Sequence, residues 1–182
     1  GRHLERFDAI ESIFAPSAAD ADARFAIWHA TATAEDGVSK VKVYVNPQIH
    51  GKADAPELTR KAFETLGLSA AWTFLSTRLD AAELLYFSLD LEASSSARVK
   101  VYLAYPNADI AGIELEGARH YVAGDAAEWV RGVTAHQGSF SGRPLLVCWA
   151  FDAEGGLPRA TLHVPVRSYT SNDAEALEGI AR

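Results

Sequence analysis

Two short runs put the same residue types at the same spacing: Lys40-Val-Lys42-Val-Tyr44-Val and, later, Arg98-Val-Lys100-Val-Tyr102-Leu. Strict alternation of apolar and polar residues, rich in β-branched and aromatic types, reads as a strand with two different faces. The valines form one face; Lys42, Arg98, Lys100, Tyr44 and Tyr102 form the other. Ammonium and guanidinium groups gathered on one surface neutralise a diphosphate, and tyrosine rings turn a negative π-face toward a cation. For a single strand a solvated basic face is the ordinary reading. Its recurrence, with Tyr always two residues after Lys, points instead to a site that handles both charges at once.

The elements that must position these residues follow from the same alternation. Each run is preceded by another strand-like run, residues 25–33 before the first and 84–91 before the second, with turn signals at Glu35-Asp36-Gly37 and Ala93-Ser-Ser-Ser96. A third hairpin runs over 144–151, turns around Gly155-Gly156 and returns as Arg159-Ala-Thr161-Leu-His163-Val-Pro165, a degraded third copy. Helical segments separate the hairpins: residues 56–66, capped by Asp54 and stopped by Gly67; 69–79; Asn107 to about Tyr121; 125–133, with Glu128 completing a capping box; and Asn172 onward with Glu175. The order helix, hairpin, helix therefore occurs three times.

Side-chain alternation sends Leu85, Phe87, Leu89 and Leu91 to the helices with Val99, Val101 and Leu103, and leaves Tyr86, Ser88 and Asp90 beside Arg98, Lys100 and Tyr102. Pairing the first hairpin about Asp36-Gly37 puts His29 near Tyr44 and Thr31 near Lys42, and a one-residue slip would invert this. Pairing the third about Gly155-Gly156 puts Cys148 near His163 and Ala150 near Thr161, with Trp149 turned toward the helices. Trp28, Trp72, Trp129 and Trp149 read mostly as core by their faces, and none is assigned to substrate stacking.

The 182 residues, 48% hydrophobic and 23% charged, suffice for one domain with a real core. Asp and Glu number 24 against 17 Lys and Arg, and the net charge of -7 opposes a nucleic-acid role. No run approaches the length of a membrane span, and the first residues are too charged for a signal peptide. Cys148, the single cysteine, has no intrachain disulfide partner, so a soluble, cytoplasmic protein is expected. The chain opens at Gly1 and contains no methionine. A single domain over 1–182, incomplete at both ends, is the expectation. GxGxxG, Walker, HExxH, GxSxG and paired-cysteine zinc patterns are absent from the sequence, and the six histidines are too scattered to suggest a metal site.

The runs KVKVYVNP, FSLDL followed by ARVKVYLAYP, RPLLVCWAF and ATLHVPVRSYTSND resemble, in that order and over nearly the whole chain, the tryptophan dimethylallyltransferase family of aromatic prenyltransferases, its bacterial branch in particular. The resemblance implies an α+β fold, an antiparallel ten-stranded barrel of five α-β-β-α units (the ABBA or PT barrel), with helices outside and the active site in the lumen. Three of those units are visible here. By the same resemblance Lys42, Arg98 and Lys100 hold the diphosphate of dimethylallyl diphosphate. Thr161 and His163 fall where relatives carry Gln or Lys and then Tyr at that site. Tyr44 and Tyr102 belong to the shield around the allyl cation, His29 stands about where the family places a base, and Tyr86, Leu146 and Cys148 fall on the pocket wall.

The implied reaction transfers a dimethylallyl group to an indole, of tryptophan or a tryptophan derivative, by electrophilic aromatic substitution, within secondary metabolism such as alkaloid biosynthesis. Prenyl diphosphate is a substrate, and no cofactor is expected. Without a DDxxD or NDxxD run in the sequence, side-chain charge rather than obligatory Mg²⁺ neutralises the leaving group. The expected partners are these small molecules, with neither nucleic acid nor membrane, and the remaining barrel units from the rest of the same protein or a second chain. A non-catalytic barrel relative that binds a hydrophobic anion is the alternative.

Overall fold

In a computed structural model of the chain, the residues described are 4–17, 25–33, 39–92, 97–110, 115, 118, 125–134, 138–152 and 156–181. The predicted turns at 35–37, 93–96 and Gly155, and most of the helix expected over 107–121, lie outside them. Six antiparallel strands form one sheet in sequence order: β1 (Ile27–Thr33), β2 (Ser39–Val45), β3 (Glu83–Asp90), β4 (Val99–Tyr105), β5 (Leu145–Phe151) and β6 (Arg159–His163). Helix α1 (Glu5–Glu11) and a 3₁₀ turn (Ser12–Phe14) precede the sheet, α2 (Ala55–Thr65) and α3 (Ser69–Ser76) follow the first hairpin, α4 (Asp125–Thr134) follows the second, and α5 (Asp173–Ile180) follows the third. This is the predicted α+β order. The sheet does not close on itself: among the described residues β1 and β6 are each paired on one side only.

Alternation divides the sheet as expected. Val43, Val45, Phe87, Leu89, Val99, Val101, Leu103, Val147 and Trp149 are buried at 1% exposure or less, forming one continuous core with Phe14, Phe63 and Leu75. Ring contacts lock the layers together. Phe63 of α2 meets Phe87 and Phe151 edge-on at 5.5 Å, and Phe74 of α3 meets Trp149 at 4.9 Å. Each such side chain removed from water contributes about 1.5–3 kcal/mol, so this face fixes which way the sheet must lie.

Helix α2 shows how the local sequence does this. Ala55, Leu58, Thr59, Ala62 and Phe63 are its buried positions, one stripe at the helical period. Gly67, at φ +73°, ends it: Leu68 N–H donates to Phe63 O at 2.8 Å and Gly67 N–H to Glu64 O at 3.0 Å, a Schellman stop that needs a left-handed residue. The expected Asp54 side-chain cap does not form. Asp54 is itself αR (φ −86°, ψ −17°) with no side-chain cap bond, and a side chain caps from an extended backbone. Asn172 meets that requirement at φ −159°, and its Oδ1 accepts from Glu175 N–H at 3.0 Å.

Three other expectations are corrected. Asn107 does not begin a helix: it sits at φ +60° in a turn after β4. Leu85 does not join the core, because a bulge between Leu84 and Tyr86 shifts the β3–β4 register, burying Leu84 to 3% in its place. Trp28 and Trp129 are not core residues, at 49% and 52% exposure.

Candidate active site

Residues directly opposed across an antiparallel pair share a face, so the register decides which side chains meet. Along the open face one row reads Trp28, Tyr44, Ser88, Lys100, Ala150 and Arg159. On one side of it lie Ala30, Lys42 and Asp90, with Arg98 beside Asp90. On the other side lie Tyr86, Tyr102, Cys148 and Thr161, and beyond them Glu83, Ala104, Leu146 and His163. Successive rows are two residues apart, about 7 Å. The face is therefore cationic at one end, aromatic in the middle and open at the other end.

The cationic end is organised around a carboxylate. Asp90 is 2% exposed; its Oδ1 accepts from Lys100 Nζ at 2.7 Å and its Oδ2 from Arg98 Nε at 2.9 Å. Burial alone would raise the Asp90 pKa, but the bonds from Lys100 and Arg98 outweigh it and hold the carboxyl below its ordinary value. Lys100 is lowered too, because burial, Arg98 and Lys42 together outweigh its one carboxylate partner. Arg98, less buried, is raised by Asp90 despite the burial it does suffer. Lys42 stands directly across from Asp90 with no ion pair among the described residues. From α1, Arg6 donates to Ala97 O at 3.0 Å; burial lowers its pKa and the charge of Asp90 opposes that shift.

The middle is a set of rings in mutual contact. Centroids lie 6.1 Å apart for Tyr44 and Tyr102, 5.7 Å for Tyr86 and Tyr102, 5.8 Å for Trp28 and Tyr86, and 5.8 Å for Tyr102 and His163. Phe25 stacks on Trp28 at 4.2 Å. Burial, then the Cys148 thiol and the Tyr44 hydroxyl, push the Tyr102 phenol well above its usual range. Cys148 is raised by burial, against the Tyr102 bond and the three cations. Both shifts favour the neutral phenol and thiol. Beyond the rings an open cleft of about 650 Å³ is lined by Tyr86, Leu146, His163, Glu83 and Arg143 among others. Its rim is pinned by Tyr169, whose hydroxyl donates to Arg143 O at 2.5 Å and accepts from Arg143 N–H at 2.8 Å.

Lys42, Arg98, Lys100, Tyr44, Tyr102, Tyr86, Leu146 and Cys148 thus share one face as expected. His29 does not. It is opposed to Val43, while Trp28 is opposed to Tyr44, so His29 lies on the valine side and cannot reach the rings. The expected pairing about Asp36-Gly37 set Thr31 opposite Lys42, whereas in the structure Thr31 is opposed to Val41 and Thr33 to Ser39, a slip of one residue. The third hairpin is offset by two residues, which preserves the face but changes the neighbours. Thr161 is opposed to Cys148 and His163 to Leu146. His163 therefore stands at the open end beside Tyr102, two rows from Lys100, and Arg159 takes the position in the Lys100 row. Trp28, which the sequence placed in the core, joins this face, as do Asp90, Arg159 and Ser88, to which sequence reasoning gave no role; the buried Ser88 hydroxyl lacks a hydrogen-bond partner among the described residues.

No family model matches the chain, and no curated protein matches it in sequence. Solved structures do. A 6-dimethylallyltryptophan synthase from Micromonospora olivasterospora, in complex with DMASPP and Trp, superposes over 100% of this chain and 54% of its own, with a TM-score of 0.88 at 27% identity. The prenyltransferase PriB, in ternary complex with L-tryptophan and dimethylallyl thiolodiphosphate, covers 98% of this chain and 51% of its own at 0.84 and 32%. A 5-dimethylallyltryptophan synthase from Streptomyces coelicolor covers 96% and 51% at 0.77 and 27%. The chain spans about half the length of each. With one face bearing cations, rings and cleft in that order, and likeness extending along nearly all its residues, the chain has the fold of about half of a tryptophan dimethylallyltransferase and is similar to solved members of that family of aromatic prenyltransferases.

Proposed function

We propose that this chain forms part of the lumen of an aromatic prenyltransferase that moves a dimethylallyl group from dimethylallyl diphosphate to an indole ring, of tryptophan or a derivative. The observation that carries this reading is the direct adjacency of a cation cluster, Lys42, Arg98 and Lys100, to the ring set of Trp28, Tyr44, Tyr86 and Tyr102 on one face. The C–O bond of the allyl diphosphate breaks with its electron pair leaving on the diphosphate, where preorganised positive charge stabilises it. The allyl cation left behind lies against ring faces that stabilise it and keep water from it. A π-electron pair of the acceptor forms the new C–C bond, and the ring proton passes to the released diphosphate or to water, which restores aromaticity. The 650 Å³ cleft, on the far side of the rings from the cations, is the place for the acceptor.

In this reading Lys42, Arg98 and Lys100 bind the diphosphate with Arg159 beside them, Thr161 borders Cys148 on the pocket wall, and His163 joins the rings at the acceptor end. The open edges of the sheet are completed by further barrel strands, from the same protein or a second chain. The test is turnover of dimethylallyl diphosphate and tryptophan by the full-length protein, with and without EDTA. Prenylated tryptophan in both conditions is expected. Loss of activity with EDTA and its return with Mg²⁺ would overturn the side-chain account of charge neutralisation. Diphosphate binding without transfer would leave the anion-binding alternative.

A further inference from the structure

We propose that Asp90 is a positioning residue of the diphosphate site, holding Arg98 and Lys100 in place and keeping the Lys100 ammonium charged so that it can meet the anion. The inference rests on the functional reading above but concerns a residue of opposite charge to the ligand. An aspartate in an anion site opposes binding unless it does something that offsets the repulsion. Asp90 is 2% exposed and holds one donor on each carboxylate oxygen, at 2.7 and 2.9 Å. Both are charge-assisted bonds of full strength, and they fix two flexible side chains before any ligand arrives.

The second task follows from what surrounds Lys100. It is 6% exposed, and the groups facing it are Lys42 from β2, Asp90 from β3, Arg98 from the residue just before β4, the Cys148 thiol from β5 and, across Ala150, Arg159 from β6. Arg6 of α1 adds a further positive charge near Asp90, while Glu92 and Asp152 act on Arg98. Among these Asp90 is the carboxylate bonded to Lys100, set against burial and several like charges. An ammonium so placed loses its proton readily without a counter-charge. A neutral amine at Lys100 would give up one of the charges the leaving group needs.

The two effects of Asp90 on anion binding have opposite signs, and pH separates them. Where Lys100 is protonated regardless, removing the carboxylate removes a repulsion; where it is not, removing the carboxylate removes a cation. Asp90→Asn keeps the shape and one acceptor oxygen. Binding of inorganic pyrophosphate by the full-length protein and by D90N, measured by calorimetry from about pH 6 to 9, gives a ratio of affinities in which the probe's own ionisation cancels. D90N is expected to bind as tightly as the unsubstituted protein or more tightly at pH 6, and roughly tenfold or more weakly at pH 9, one pKa unit being a factor of ten. In the D90N/K100R double variant, whose guanidinium does not deprotonate, the pH dependence of the ratio should vanish.

A loss in D90N that is the same at every pH, as misfolding of the site would give, overturns the proposal. Should D90N not fold, lysine side-chain ¹⁵N NMR of the unsubstituted protein decides: Lys100 is expected to remain protonated to at least about pH 8, and titration below that with Asp90 in place overturns the proposal. Absence of pyrophosphate binding by the unsubstituted protein at any pH is a different failure, and would remove the functional reading itself.

Discussion

The three cations of the site are not equivalent. Lys100 is bonded to a buried carboxylate at 2.7 Å, whereas Lys42 faces the same carboxylate from the neighbouring strand without an ion pair among the described residues. Lys100→Ala leaves the buried Asp90 carboxylate with one partner fewer, a loss of about 1–3 kcal/mol. Lys42→Ala breaks no bond and should change stability by less than about 0.5 kcal/mol. Both should weaken diphosphate binding. Urea denaturation and pyrophosphate titration of the two variants, done side by side, would check this; equal stability losses would mean that the Asp90 cluster does not act as a unit. The pattern of basic, Lys and Tyr residues was legible in the sequence because a strand fixes side-chain direction by position alone. Asp90 was legible only as another residue on that face, since its bonds to Arg98 and Lys100 depend on side chains meeting across β3 and β4.

Helix ends and close contacts govern the scale of the element. Helix α5 packs against α4 so closely that a Cβ on Gly179 would stand 2.3 Å from the Val133 carbonyl oxygen. That neighbour is backbone and cannot rotate away. Gly179→Ala, which in an open helix would be favourable, should instead destabilise by about 1–3 kcal/mol, read as a fall in Tm of several degrees; an unchanged or raised Tm would show that α4 and α5 are free to separate. The stop glycine Gly67 and the capping signals at Glu128 and at Asn172 with Glu175 made α2, α4 and α5 recognisable. The failures were at ends and turns. Asp54 has the right side chain for a cap in the wrong backbone conformation, and the Asp36-Gly37 turn signal did not give the register of the first hairpin, where Thr33 is opposed to Ser39.

On the scale of the whole molecule, the sheet runs from β1 to β6 with edges at both ends that are unpaired among the described residues and a face of cations and rings that the core does not cover. Edge strands expose amide groups to solvent or to another strand. In hydrogen exchange β4, paired on both sides with Val99 and Val101 fully buried, should be the most protected. Ile27–Thr33 and Arg159–His163 should lose protection first if this chain stands by itself. Protection of both edges equal to that of β4 would mean that further strands pair with them in solution, as the proposed barrel requires.

The sequence by itself determined the strands, their faces and the likeness to aromatic prenyltransferases, because each rests on short-range periodicity or on motifs a few residues long. Composition added that a basic patch must be local in a chain whose net charge is -7. Register was decided only in three dimensions. A slip of one residue moved His29 to the valine side and brought Trp28 to the rings; a slip of two kept Thr161 and His163 on the right face but shifted them away from the cations; a bulge exchanged Leu85 for Leu84 in the core. Loop residues alone do not set such offsets. They are set by the best burial of the whole sheet against its helices, a sum over contacts distant in sequence, and for that reason the residues of the site could be chosen from the chain while their neighbours could not.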